Sequence, residues 1–99
     1  MRWVAIFTDR SGALDIRAAH AEAHFAYLEA HRDKIRIAGG LRNELGAPPD
    51  GGLWILDNIS GREEAVQLCE ADPFFVAGLR ESYVLKAWGF APCHADVVI

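Results

Sequence analysis

The sequence is poor in the features that would commit it to an extracellular, membrane or nucleic-acid role. Its two cysteines, Cys69 and Cys93, form neither a C-x-x-C pair nor a zinc-like spacing, so neither a disulfide framework nor a structural zinc is expected. A reducing cytoplasm is the expected compartment. The N-terminal apolar run from Trp3 to Phe7 stops at Thr8-Asp9-Arg10, too short for a signal h-region or a membrane span, so nothing in it is expected to export or anchor the chain. Basic residues number 10 against 14 acidic ones, a formal net charge of -4, and no basic run or aromatic-interleaved basic patch occurs. That balance argues against nucleic acid as a partner. Internal repeats and low-complexity segments are also lacking.

What is present is enough apolar material for a core. With 52 % hydrophobic and 24 % charged residues the chain reads as an ordinary globular protein, and its 99 residues suit one domain over 1–99, with 92–99 as a tail. Residues 2 to 8 combine β-branched and aromatic types and predict a strand that is apolar on both faces: Trp3, Ala5 and Phe7 on one, Val4 and Ile6 on the other. From about Asp15 to Lys34 there is no Gly or Pro, and a long helix is expected, begun by Asp15 or Asp9. Its helical spacing gathers Ile16, His20, His24, Tyr27 and His31 into one stripe, turned toward the packed side.

Ile35 to Arg42 reads as a second strand in which Gly39-Gly40 marks a bulge or the close approach of another group to the backbone. The Pro- and Gly-rich stretch from Asn43 to Gly52 predicts a loop, and Leu53 to Asp57 a third strand, again apolar on both sides. Ser60-Gly61-Arg62-Glu63 matches a capping box that opens a second helix running to about Ala71. Glu81 to Phe90 reads as a last strand, and the apolar tail from His94 to Ile99 as an added edge strand, on this chain or on a partner. Strand, helix, strand, strand, helix, strand is the ferredoxin-like βαββαβ order, an α+β fold with an antiparallel sheet and both helices on one face. The other face is left bare and apolar, which predicts a homodimer through the open sheet face, in the manner of a dimeric α/β barrel.

Between the second helix and the last strand stands Asp72-Pro73-Phe74-Phe75. The proline ring drives the residue before it out of the helical region, so one helix is expected to end near Ala71 and a short one to begin at Pro73. Asp72 is then either the N-cap of that short helix or the partner of a side chain elsewhere, for which His24 is the candidate. A carboxylate that holds one imidazole nitrogen as donor orients the ring and raises its basicity, leaving the other nitrogen to take a proton. The alternative is a packed histidine whose nitrogen simply satisfies the carboxylate.

These residues, with Ala38-Gly39-Gly40-Leu41, Ser60 to Ala65, Ala77-Gly78-Leu79 and the Val84 to Trp88 strand, resemble the YciI-like (YCII-related) family from about Met1 to Trp88. The resemblance implies a dimeric ferredoxin-like fold related to the muconolactone-isomerase type, with a His and an Asp facing each other in a pocket beside the sheet. Carried onto this sequence, the pair is His24 and Asp72. It also implies elimination or isomerisation of small cyclic or aromatic compounds. The family often has an Arg three residues before the His, where this chain has Ala21, and a Gly-Pro where it has Gly39-Gly40. Arg17, one turn earlier, is the substitute that the sequence offers.

The expected activity is therefore general acid–base chemistry on a small molecule by His24 and Asp72, without a cofactor. His20, Gly40, Phe74 and Trp88 are the expected substrate-binding residues. Trp54, Phe74, Tyr83 and Trp88 serve either as an apolar wall for a ligand or as core and interface. His20 and His24 are four apart, but Glu22 lies between them on the far side of the helix, so the zinc-protease arrangement is absent and no metal is expected. The rival function is a non-catalytic binding or interaction module in which the pair is structural.

Overall fold

The alternation of β-branched and aromatic residues builds a sheet whose central strand is the first. The computed structural model describes residues 2–99, so residue 1 of the expected domain lies outside it. The elements in order are β1 (Arg2–Asp9), α1 (Leu14–Ala30), β2 (Ile35–Leu41), β3 (Gly51–Leu56), α2 (Arg62–Glu70), α3 (Pro73–Val76) and β4 (Arg80–Trp88), followed by a 3-10 turn at Pro92–His94. The strands pair antiparallel in the order β2-β3-β1-β4, the ferredoxin-like topology that the chain order predicts. Trp3, Ala5 and Phe7 of β1, Trp54 and Leu56 of β3 and Leu85 of β4 are buried together with Ala65, Leu68 and Cys69 of α2. The intervening residues form the other face, where Ile6 is 40 % and its cross-strand neighbour Val84 50 % exposed. Ile37, Leu41 and Trp88 are exposed as well.

Local differences from the sequence reading have identifiable causes. The third strand begins at Gly51, not Leu53, because Gly51 and Gly52 pair with Thr8 and Phe7. A Cβ at position 51 would lie 2.3 Å from the Phe7 carbonyl oxygen, so the glycine that looks like loop punctuation is what lets β3 approach β1. α1 stops at Ala30, and the chain turns through 31–34, where the His31 carbonyl accepts the amides of Lys34 and Ile35 at 2.9 and 2.8 Å. Neither Asp15 nor Asp9 caps its start: Ala13 holds the N-cap position, Asp15 lies in the first turn, and Asp9 is engaged elsewhere. The expected capping box is not formed among the described residues: Gly61 holds the N-cap position of α2 and no side chain caps it. Glu64, not Glu63, accepts the Ser60 amide at 2.9 Å, and its other oxygen meets Lys34 Nζ at 2.5 Å. Those two donors hold the Glu64 carboxyl below the usual carboxylate range.

The helical stripe is also turned. His24 is buried and Ile16, Tyr27 and His31 are partly so, but His20 faces solvent. At the C-terminus the tail pairs with no strand among the described residues of its own chain: it follows the 3-10 turn at Pro92–His94, and Val98 is exposed. Among the described residues, no helix is long and apolar enough to cross a membrane.

Two measurements check this packing. Gly51→Ala forces the β1–β3 backbones apart and should lower stability by about 1–3 kcal/mol in thermal unfolding, whereas Gly39→Ala, with open space around its Cβ, should leave the midpoint close to wild type. Cys69 is buried and its thiol pushed up to about 12 by burial and then by the nearby Asp72 and Glu70 carboxylates, so it stays protonated at neutral pH, while Cys93 is exposed. Titration of the folded protein with a thiol reagent should therefore show one fast cysteine, and the second only on unfolding.

Candidate functional site

The Asp-Pro step sets the geometry of the site. Pro73 occupies the first turn of α3 and holds Asp72 extended, with φ -60° and ψ 134°. Asp72 thus occupies the N-cap position, yet its side chain makes no capping hydrogen bond among the described residues. It reaches α1 instead, where His24 Nδ1–H donates to Asp72 Oδ1 at 2.6 Å. The carboxylate is fully buried, and its Oδ2 has no hydrogen-bond partner among the described residues. Phe74, two residues on, stacks on the imidazole with ring centroids 3.9 Å apart and planes 13° from parallel. One short motif therefore fixes both the tautomer and the plane of the ring. Nε2 is the ring nitrogen that Asp72 does not engage.

His24 lines a cavity of about 450 Å³ between α1 and the β2–β3 half of the sheet. That size suits a small organic ligand. On the sheet side the wall includes the backbone of Gly40, Gly51 and Gly52, together with Ala38 and Trp54. Arg17 and Arg80 also line it. Asp9 lies between these two arginines: Oδ2 accepts from Arg17 Nη2 at 2.6 Å and Oδ1 from Arg80 Nη1 at 2.7 Å. Arg17 also donates to the Gly51 carbonyl at 3.2 Å. The guanidinium carbons stand 5.1 Å (Arg17) and 5.3 Å (Arg80) from the Phe74 ring centroid, so both cations and the imidazole surround one aromatic ring. Two guanidiniums against one carboxylate leave this end of the cavity with an excess positive charge. Gly52 gives Arg80 its room, since a Cβ there would sit 3.3 Å from Nη2.

Of the residues expected from sequence, His24, Asp72, Phe74 and Gly40 are brought together, the first three in direct contact or stacking and Gly40 on the facing wall. His20 is not brought there. The cavity opens on the side of α1 that carries Arg17, Ala21 and Leu28, roughly 60 to 100° round the helix from His20. Trp88 is also elsewhere: strand alternation puts it with Val84 and Lys86 on the open sheet face, where it packs beside Phe90, ring centroids 6.3 Å apart. Tyr83 packs on Phe7 and donates to Glu70 at 2.7 Å, outside the cavity. Tyr27 donates to the Leu68 carbonyl at 2.7 Å, and burial, with the Asp72 charge behind it, pushes its phenol up to about 12, so it remains protonated at neutral pH.

Asp9, Arg80 and Arg42 are cavity or near-cavity residues that sequence reasoning missed. A signal for one of them existed: alternation from Trp3, Ala5 and Phe7 carries Asp9 to the covered face, where a carboxylate requires a partner. Among the described residues, no group of three or more His, Cys, Asp or Glu side chains is placed to hold a metal ion.

Comparison with known proteins finds the same fold and a matching family. The chain is similar to 5-chloro-2-hydroxyhydroquinone dehydrochlorinase (TftG) from Burkholderia phenoliruptrix AC1100, solved in complex with 2,5-dihydroxybenzoquinone, with a TM-score of 0.83 and 29% identity over 92% of this chain and 96% of that one. It also shares its fold with a protein from Agrobacterium tumefaciens, with a TM-score of 0.51 and 19% identity over 93% of this chain and 95% of that one. No curated protein matches the sequence. Residues 1–89 match the YCII-related domain, and with this match spanning most of its length the chain belongs to the YCII-related domain family.

Proposed function

We propose that the cavity binds a small cyclic or aromatic molecule and that His24, oriented by Asp72, moves a proton in an elimination or isomerisation. The observation that carries this reading is the 2.6 Å Nδ1–Oδ1 hydrogen bond on the wall of a ligand-sized cavity. With Nδ1 committed as donor, Nε2 is the base, and the buried carboxylate stabilises the imidazolium that forms when it accepts a proton. In an elimination the C–H or O–H electron pair released to the substrate expels a leaving group with its own electron pair, and the proton stays on Nε2 until it is returned to water or product. Arg17 and Arg80 favour a substrate that carries or develops an anionic oxygen, because their excess charge needs no reorganisation to meet it. The similarity to a dehydrochlorinase bound to a dihydroxybenzoquinone supports the same class of chemistry.

Substitution separates this reading from a purely structural role. His24→Ala is a poor probe, since it strands a buried carboxylate at a cost of about 3–5 kcal/mol. His24→Gln retains a donor for Asp72, and Asp72→Asn retains the shape of the acid. In a turnover assay on chlorinated hydroquinones, phenols and lactones, His24→Gln should lose about 10²–10⁴-fold in rate and Asp72→Asn a substantial part of that, with thermal midpoints near wild type. Unfolding of both variants, or unchanged ligand binding and turnover in both, would return the pair to the structural role.

The open sheet face completes the proposal as the interface of a homodimer. Ile6, Ile37 and Val84 form an apolar surface there, and a second copy of the same face is its complement in a two-fold dimer. Wild-type protein should sediment at twice the 10.9 kDa chain mass, and Val84→Glu should shift it toward the monomer.

A further inference from the structure

The cavity has two chemically distinct sides. On the α1 wall, Arg17, His24 and Leu28 fall within roughly 40° of one another around the helix and lie deep, with His24 buried and Arg17 and Leu28 partly buried. Leu14, Ala18 and Phe25 fall together roughly 80 to 120° round from His24 and form the lip. Phe25 is 63 % and Leu14 50 % exposed, on a helix whose remaining outward positions are largely Ala, Glu and His. The Phe25 ring stands 5.5 Å from the His24 ring, so the apolar lip begins next to the imidazole. Arg17 and Phe25 are eight positions apart, about 12 Å along the helix, which is more than one aromatic ring spans.

We propose that the substrate is an aromatic or cyclic anion bearing an apolar substituent, its anionic group toward Arg17 and Arg80 and its substituent laid on Phe25 at the lip. This deepens the reading of the His24 cavity and rests on it. Charge complementarity fixes the direction: the excess positive charge is at the Arg17–Asp9–Arg80 end, while Phe25, Ala21 and Leu28 offer apolar surface without a charge of their own. A bare ring would cover the floor and leave Phe25 in water. A substituent of several carbons, or a second ring, covers it. Phe25 is thereby a specificity-determining residue that contributes by burial and takes no part in proton transfer.

The test is a binding series by calorimetry with benzoate, 4-ethylbenzoate and 4-butylbenzoate on the full chain. In wild type each added methylene should tighten binding about two- to four-fold, the range expected for partial to full burial. Phe25→Ser should flatten that gain, so that 4-butylbenzoate binds it no more than two-fold tighter than benzoate does. 4-Butylbenzyl alcohol, with the substituent but no charge, should bind at least ten-fold more weakly than 4-butylbenzoate. If benzoate binds and Arg17→Gln weakens it, but the wild-type series is flat, the substituent proposal fails and the cavity reading stands. If none of these compounds binds wild type, and chlorinated hydroquinones and phenols do not bind either, the cavity reading fails and takes the proposal with it. Phe25→Ser must also leave the sedimentation coefficient unchanged, since a shift would make Phe25 a subunit contact and overturn the assignment.

Discussion

The contact between Asp72 and His24 is the buried polar link within the packing of α3 against α1. It joins the middle of α1 to the junction of α2 and α3, across 48 positions of sequence. Because the carboxylate is buried, the hydrogen bond is strong and also obligatory: water cannot replace the donor if the two elements part. Phe74 reinforces it by stacking on the same ring from within the small cluster formed with Ala13 and Leu79. The imidazole is thus held by the same packing that seats α3 against α1. Preorganisation of the site and docking of the short helix are one event.

Much of this architecture is visible in the sequence because local signals agree with the global fold. Trp3, Ala5 and Phe7 at period two, the long Gly- and Pro-free segment after them, and the break at Asp72-Pro73 each specify an element, and their order leaves one familiar topology. Where reading failed, the deciding contact lay far away in the chain. Gly51 and Gly52 have the composition of a turn and become a strand because Phe7 and Thr8 are there to pair with. Glu63 and Glu64 are equivalent on paper, and the choice falls to Glu64 because Lys34 can reach it.

The site divides in the same way. His24 and Asp72 could be paired from residue chemistry and family resemblance, since an acid before proline is denied a helical conformation and a mid-helix histidine is available to it. Arg80 and Asp9 could not, because charges at strand ends ordinarily face water, and only the pairing of β1 with β4 puts these two side by side. Trp88 and His20 show the converse. Residue type suggested a binding role for both, but strand alternation sends Trp88 to the open face and helical phase sends His20 to solvent. Composition identifies candidates; periodicity assigns them a side.

Asp9 has a consequence beyond its two ion pairs. It is the last residue of β1, it contacts the first residue of β4 and the early part of α1, and its single negative charge is divided between two guanidiniums. For the anionic substrate proposed above, the valence of the cradle is therefore set at the end of a strand, by a side chain whose oxygens are both occupied. Relatives with the same pair of arginines but a neutral residue at that position would present a doubly charged cradle in the same walls, matched to a dianion and no longer to a single carboxylate or phenolate.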